Sequence, residues 1–285
     1  MLIAALLTGL FMVAEVVGGI LSGSLALLAD AGHMLADFAA LVLAWLAFRF
    51  SRWPADRVRT YGFDRLQVLV AYSSGLSMFA IAAFILYEAV HRLLEPAPLL
   101  AGTMLVVAVA GLIVNIVVFA ILHGADRDNL NVRAAAIHVI GDLLGSLGAI
   151  VAALVILWTG WLPADPLISV LVAVLILRSA WTIVRDSGHI LIEGAPVGIA
   201  PAEIEADLEA NVADIEDVHH VHAWSITQER PIVTLHARLC EGRKADAAVH
   251  AIKARLHERF GITHATVEIE MANCADHSPR KHAHG

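Results

Sequence analysis

Two copies of one spacing, His33-x-x-x-Asp37 and His138-x-x-x-Asp142, stand inside long apolar stretches of this 285-residue chain. Ionisable groups are costly in lipid, and where they occur there they face a bundle interior and mark an ion or proton path. A separation of four places both members of each pair on one helix face. Two such helices facing each other would offer two imidazoles and two carboxylates to one point. Four N and O donors suit the coordination number and ligand preference of Zn2+. A simpler reading, in which each histidine satisfies the aspartate of its own helix, suffices for one pair, whereas repetition at identical spacing favours a shared site.

Other polar residues in apolar runs are weighed against that site. Glu15 and Asn115 are expected as partners that orient a metal-bound imidazole or carboxylate, with a helix-to-helix hydrogen bond as the plain alternative for Asn115. Asp30 falls one turn before His33. It is either a further partner of the site or a residue at the outer mouth, and the mouth is favoured. Glu88 and Asp165 lie near the ends of apolar stretches, where solvation is the expectation.

The elements that must position these groups follow from hydropathy. The chain is 59% apolar and 16% charged, with a mean hydropathy of +0.74, beyond an ordinary soluble globule. A helix needs about 20 apolar residues to cross the hydrocarbon core. Six stretches qualify: Met1 to Leu21, Leu25 to Phe50, Leu66 to Leu94, Leu99 to His123, Val132 to Trp158 and Pro166 to Val184. The first has no basic leader and carries Glu15, which argues for a span over a cleaved signal. Ser22-Gly23-Ser24, Glu95-Pro96-Ala97-Pro98 and Trp161-Leu162-Pro163 punctuate the series. Arg49, Arg52, Arg57, Arg59, Arg65, Arg127, Arg133 and Arg185 fall on one side and Arg92 on the other. The positive-inside rule then places both termini in the cytoplasm.

After Gly188 the pattern becomes that of a soluble acidic domain. That part holds 9 Lys+Arg against 15 Asp+Glu, and 11 of the 15 histidines. Histidine enrichment without a basic stripe points to a divalent metal and away from nucleic acid. Pro201 to Val212 reads as a helix, Val218 to Thr227 and Ile232 to Leu239 as strands, Lys244 to Phe260 as a helix and Ala265 to Met271 as a strand. The expected fold is therefore a membrane all-α bundle of six helices (1–188) plus a cytoplasmic αββαβ open-sheet domain (189–272) and a histidine-containing tail (273–285). His219, His220 and His222 share one strand, so strict alternation turns His219 away from the other two. His236 on the next strand and Glu268 or Glu270 on the third can join one donor set. Tail residues His277, His282 and His284 give a loose metal-binding composition. Two cysteines, Cys240 and Cys274, define no disulfide framework.

Several separated motifs now agree in order. Glu15-Val-Val-Gly-Gly, Ser24-Leu-Ala-Leu-Leu-Ala-Asp30-Ala-Gly-His33-Met-Leu-Ala-Asp37, Tyr61-Gly62-Phe63-Asp64-Arg65, His138-Val-Ile-Gly-Asp142, Ile192-Glu193-Gly194-Ala195-Pro196 and His219-His-Val-His-Ala-Trp224 together resemble the cation diffusion facilitators, in particular their zinc-transporting branch. The resemblance implies a homodimeric Zn2+/H+ antiporter of the bacterial inner membrane, moving zinc, with Cd2+ or Co2+ as further candidates, out of the cytoplasm. It implies a transport site at His33, Asp37, His138 and Asp142, and a regulatory cytoplasmic zinc site at His219, His236 and Glu270. It also implies an ion pair between Arg65 and Glu193. Departures are Gln67 where relatives carry Glu, a loop from Ser51 to Arg65 without histidine, and a lone Cys274 that cannot form a two-cysteine tail site.

Two rival functions remain in view at this stage. An intramembrane metalloenzyme would need an H-E-x-x-H helix or a general base beside an open ligand position, and neither is visible, so no catalytic activity is expected. A membrane-anchored zinc sensor without transport would bind metal and show no flux.

Overall fold

Six long helices occupy the first two thirds of the chain, and a small mixed fold the rest. The computed structural model describes residues 2–51, 53–123, 130–271 and 274, without the side chains of 2–6, 37, 40, 41, 44, 45, 48, 51, 122, 123 and 130–141. Arg52, Arg127, the side chain of Arg133 and the tail histidines His277, His282 and His284 lie outside the described residues. The order is α1 (Leu2–Ser22), α2 (Leu25–Ser51), α3 (Arg65–Leu94), α4 (Ala101–His123), α5 (Leu130–Thr159), α6 (Ala164–Leu191), α7 (Pro201–Asn211), β1 (Ile215–Ser225), β2 (Pro231–Leu239), α8 (Ala245–Phe260) and β3 (His264–Glu270). Among the described residues, Arg65–Leu94, Ala101–Ile121, Asp142–Thr159 and Ala164–Leu191 are long and apolar enough to cross a membrane, and Leu7–Ser22 and Leu25–Ala36 are shorter apolar helices. The chain divides into two compact units, Met1–Leu46 with Val70–Val184, and Ala47–Leu69 with Arg185–Gly285.

In the first unit α2 is shared between two buried clusters. Ala26 and Leu27 pack with Ala101, Met104 and Ala108 of α4 and Ala149, Ala152, Ala153 and Ile156 of α5. Leu25 and Ala29 pack with Met78, Ala82, Ile85 and Ala89 of α3 and Ala173, Ile176 and Ala180 of α6. Alanine dominates both because helices in lipid gain by close backbone approach rather than by hiding apolar area from water. Gly111 of α4 lies against the Phe11 ring of α1. Large apolar side chains meanwhile point outward, among them Leu10, Phe84 and Val106.

The start of α2 corrects the reading of Asp165. Its carboxylate is buried, accepting hydrogen bonds from Ser24 Oγ at 2.6 Å, Leu25 N at 2.8 Å and Ala26 N at 3.1 Å. Ser24 Oγ in turn accepts from Leu27 N at 3.2 Å. The unmatched N–H groups of a helix start are thereby satisfied inside the bundle, with a negative charge at the positive end of the helix dipole. Arg92 ties the same turn from α3, donating to Gly23 O and to Glu88 Oε1. Glu88 is thus held by an arginine as well as by solvent.

The second unit builds its core from β2 and the two helices. Val233, Leu235, Ala237 and Leu239 alternate inward against Ile204 and Leu208 of α7 and Ala248, Ile252 and Leu256 of α8. Strands β1 and β2 pair antiparallel, while β2 and β3 pair in parallel, which requires the α8 crossover. Helix α8 ends at Gly261, φ 68°, whose N–H reaches His257 O while Ile262 N reaches Leu256 O; a left-handed residue closing the last turn favours glycine. Asp207 of α7 takes Arg255 of α8 in a two-pronged pair at 2.7 and 2.6 Å. Those hydrogen bonds hold its carboxyl below the usual range despite the opposing effect of burial.

Asp165→Ala should destabilise the bundle by about 1–2 kcal/mol, read as a lower melting temperature in detergent, with Ser24→Ala additive only in part. Because Asp207 has a depressed pKa, its contribution is present above its unfolded value of about 3.9 and is lost as pH falls through the folded value. Amides of α7 should therefore exchange faster in Asp207→Asn than in wild type at neutral pH, and the two should converge as pH falls through the folded value of Asp207.

Candidate metal centre

Sheet register gathers a donor set on the face of β2 turned away from α7 and α8. His219 stands opposite His236, and His236 opposite Glu268, with Glu270 two residues on. One donor atom from each of His219, His236, Glu270 and Cys274 lies within 4.8 Å of all the others. Glu270 Oε1 meets His236 Nδ1 at 2.9 Å, and Glu270 Oε2 lies 3.2 Å from His219 Nε2. Those last two atoms are close without being aligned, since neither makes a hydrogen bond. A buried carboxylate oxygen and a buried imidazole nitrogen left facing each other are suited to sharing a cation.

The other side of each imidazole is also occupied. His219 Nδ1 meets Asp217 Oδ2 at 2.8 Å, and His236 Nε2 lies 3.6 Å from Glu268 Oε2. A carboxylate on the outer nitrogen fixes ring orientation and raises the basicity of the inner one, the arrangement found behind metal-bound histidines. Burial pushes the Glu270 carboxyl up, but hydrogen bonds with Cys274 and His236 and the charges of His219 and His236 outweigh it and hold the group below its ordinary value. The carboxylate is thus ionised at neutral pH, as a metal ligand must be. These residues fit a zinc-class ion, with His219, His236 and Glu270 as holders.

Strand β1 departs from strict alternation. Between His219↔His236 and His222↔Thr234, two residues of β1, His220 and Val221, stand against one of β2, Leu235, and His220 takes φ 49°. This bulge turns His220 toward the site, its ring centroid 5.4 Å from that of His219 and 5.0 Å from that of His236. The expectation that His219 faces away from His220 is thereby overturned, because the extra residue resets the side-chain period. His222 is exposed. Cys274, set aside in the sequence because it has no second cysteine, lies 3.6 Å from His236 Nδ1; its signal was position, four residues beyond Glu270.

In the first unit, helices α2 and α5 approach at Asp30 and Gly145: a Cβ on that glycine would lie 3.0 Å from Asp30 Oδ1. Asp30 is 5% exposed and lies between the two helices. Asp142 is 3% exposed, and Glu15, Asp30 and Asp142 lie within electrostatic reach of one another. Glu15 is fully buried, beside Asp30. Asn115 Nδ2 donates to Ser146 Oγ at 3.3 Å, joining α4 to α5 as the plain alternative had it. His33 is half-buried on α2, while the side chains of Asp37 and His138 lie outside the described residues. In the second unit Arg65 Nη2 donates to Glu193 Oε1 at 3.0 Å, and the neighbouring Asp64 takes Arg230 at 2.6 Å. Exposed pairs of this kind contribute under about 1 kcal/mol, so their effect is on orientation.

Residues 1–192 match the cation efflux transmembrane domain, and residues 196–272 the cation efflux protein cytoplasmic domain. The chain belongs to the cation efflux, or cation diffusion facilitator, family. Among its relatives in that family, the zinc transporter ZitB of Escherichia coli strain K12 is 49% identical over 273 residues, covering 95% of this chain and 86% of that protein. ZitB of Pectobacterium atrosepticum is 47% identical over 277 residues, 97% of this chain and 86% of the relative. The cadmium, cobalt and zinc/H(+)-K(+) antiporter of Bacillus subtilis is 39% identical over 269 residues, covering 93% of this chain and 86% of that protein.

Asp217→Asn should leave the number of zinc ions bound per chain unchanged and weaken the cytoplasmic affinity by about tenfold. His219→Ala and His236→Ala should each remove that ion, as counted by elemental analysis after equilibrium dialysis.

Proposed function

We propose that this protein exports Zn2+ from the cytoplasm in exchange for protons, by alternating access through a four-donor site at His33, Asp37, His138 and Asp142. The observation that carries this reading is the approach of α2 to α5 at Asp30 and Gly145. Counting on from Asp30, His33 and Asp37 follow after three and seven residues; counting back from Gly145, Asp142 and His138 follow after three and seven. In antiparallel helices these steps keep level with each other, about one turn at a time. The shared cluster of Ala26 and Leu27 with Ala149, Ala152 and Ala153 agrees with that direction. Relatives named as zinc transporters and as a cadmium, cobalt and zinc/H(+)-K(+) antiporter support the cargo and protons as a counter-ion.

The coupling needs only the donor chemistry. Binding a dication requires neutral imidazole and ionised carboxylate, so cytoplasmic Zn2+ displaces protons. Protons arriving from the outer side convert His33 and His138 to imidazolium, near a free pKa of about 6.5, and expel the ion. A site with four protein donors and no water position serves transport and not hydrolysis, so the protein is not an enzyme. In this reading all six long helices span the bilayer with both termini inside, two chains assemble as a homodimer, and metal at His219, His236 and Glu270 raises activity when internal zinc is high. In the same reading the protein sits in a bacterial inner membrane, in keeping with its relatives from Escherichia coli and Pectobacterium atrosepticum.

In proteoliposomes containing a zinc dye, wild type should give Zn2+ uptake driven by a proton gradient, and His33→Ala or Asp142→Ala should reduce it to the rate of empty vesicles. Wild-type binding without flux would mean a membrane-anchored sensor. Equal flux in the variants would reject the assigned site. In the same vesicles His219→Ala should keep a basal flux while losing its rise with zinc concentration.

A further inference from the structure

Cys274 is the one member of the cytoplasmic cluster outside regular structure, four residues past the end of β3. Its Sγ lies 3.6 Å from His236 Nδ1, within the set of donor atoms that all fall inside 4.8 Å. Beside it, Glu270 is nine-tenths or more buried, and its Oε2 has no hydrogen-bond partner. His219 Nε2 is likewise without one. Two imidazoles and one carboxylate leave a tetrahedral ion one donor short, and a water in that place would make the site of the kind that catalytic zinc enzymes use. A thiolate supplies the missing donor and closes the site.

We propose that Cys274 is the fourth donor of the cytoplasmic site, so that the protein holds a soft or borderline dication there through two imidazoles, one carboxylate and one thiolate. This rests on the reading of His219, His236 and Glu270 as metal holders. It adds a chemical difference between the two metal sites of one chain. The intramembrane set offers only N and O donors, whereas the cytoplasmic set includes sulfur, which shifts its preference toward Cd2+ and Zn2+ over harder ions. A dication at Cys274 also shields the thiol from electrophiles, because the bound thiolate electron pair is engaged with the metal.

The chain carries its own reference for testing this. Cys240, likewise outside any disulfide, is half-buried, with Sγ 3.9 Å from Ala213 O and outside the cluster. Full-length protein in detergent, stripped with a chelator and then given Zn2+ or Cd2+, is pulsed with N-ethylmaleimide, and labelling at each cysteine is measured by peptide mass spectrometry. Metal should slow labelling of Cys274 by about tenfold or more, while Cys240 changes by less than about twofold. Protection should be lost in His219→Ala, and Cd2+ should protect at a lower free concentration than Zn2+. Cd2+ should also give a thiolate charge-transfer absorption that Cys274→Ser removes and Cys240→Ser keeps. Unchanged Cys274 labelling, alongside an ion that His219→Ala removes, would overturn the thiolate donor and leave a three-residue site. Unchanged ion counts in His219→Ala and His236→Ala would instead overturn the cytoplasmic site itself.

Discussion

A carboxylate removed from water must be given donors or a cation, and the way each buried one is supplied organises this structure. Asp165 is supplied by protein alone: a hydroxyl and two backbone N–H groups meet its two oxygens. Glu270 is supplied only in part, by hydrogen bonds with His236 and Cys274, with its Oε2 facing His219 out of alignment. Glu15 is fully buried and shares its surroundings with Asp30 and Asp142. The first is a cap that fixes where a helix begins. The others cluster, and clusters of under-supplied acid groups are where a cation or a proton is accommodated at least cost.

The scaffold serves those clusters by holding α2 in place. Its start is pinned by Asp165 from α6 and by Arg92 from α3, while its alanines and leucines are divided between two packed clusters. His33 comes about two turns after that anchored end. Close approach to α5 depends on Gly145, since any side chain there would press on the Asp30 carboxylate. In the cytoplasmic part, register performs the same service: His219, His236 and Glu268 stand in one row across the three strands.

Much of this was legible in the residues. Helix α2 begins at Leu25, as expected, because Ser22-Gly23-Ser24 leaves the chain no helical continuation before it. Helix α6 runs to Leu191, well past Val184, because hydropathy marks where the apolar run stops and not where helical hydrogen bonding stops; Arg185 to His189 are polar and still helical. The αββαβ order followed from period changes. The role of Asp165 did not, since its partners are about 140 residues away in sequence, and local pattern carries no trace of them. Nor did the bulge at His220, which has no glycine to announce it. Cys274 was visible but unreadable until register put Glu270 beside His236.

Strand β3 is an outer strand of the sheet, only seven residues long, and it carries Glu268 and Glu270. A short edge bearing charge is a poor template for the backbone of another chain. That edge is therefore protected against growing by strand addition into aggregates.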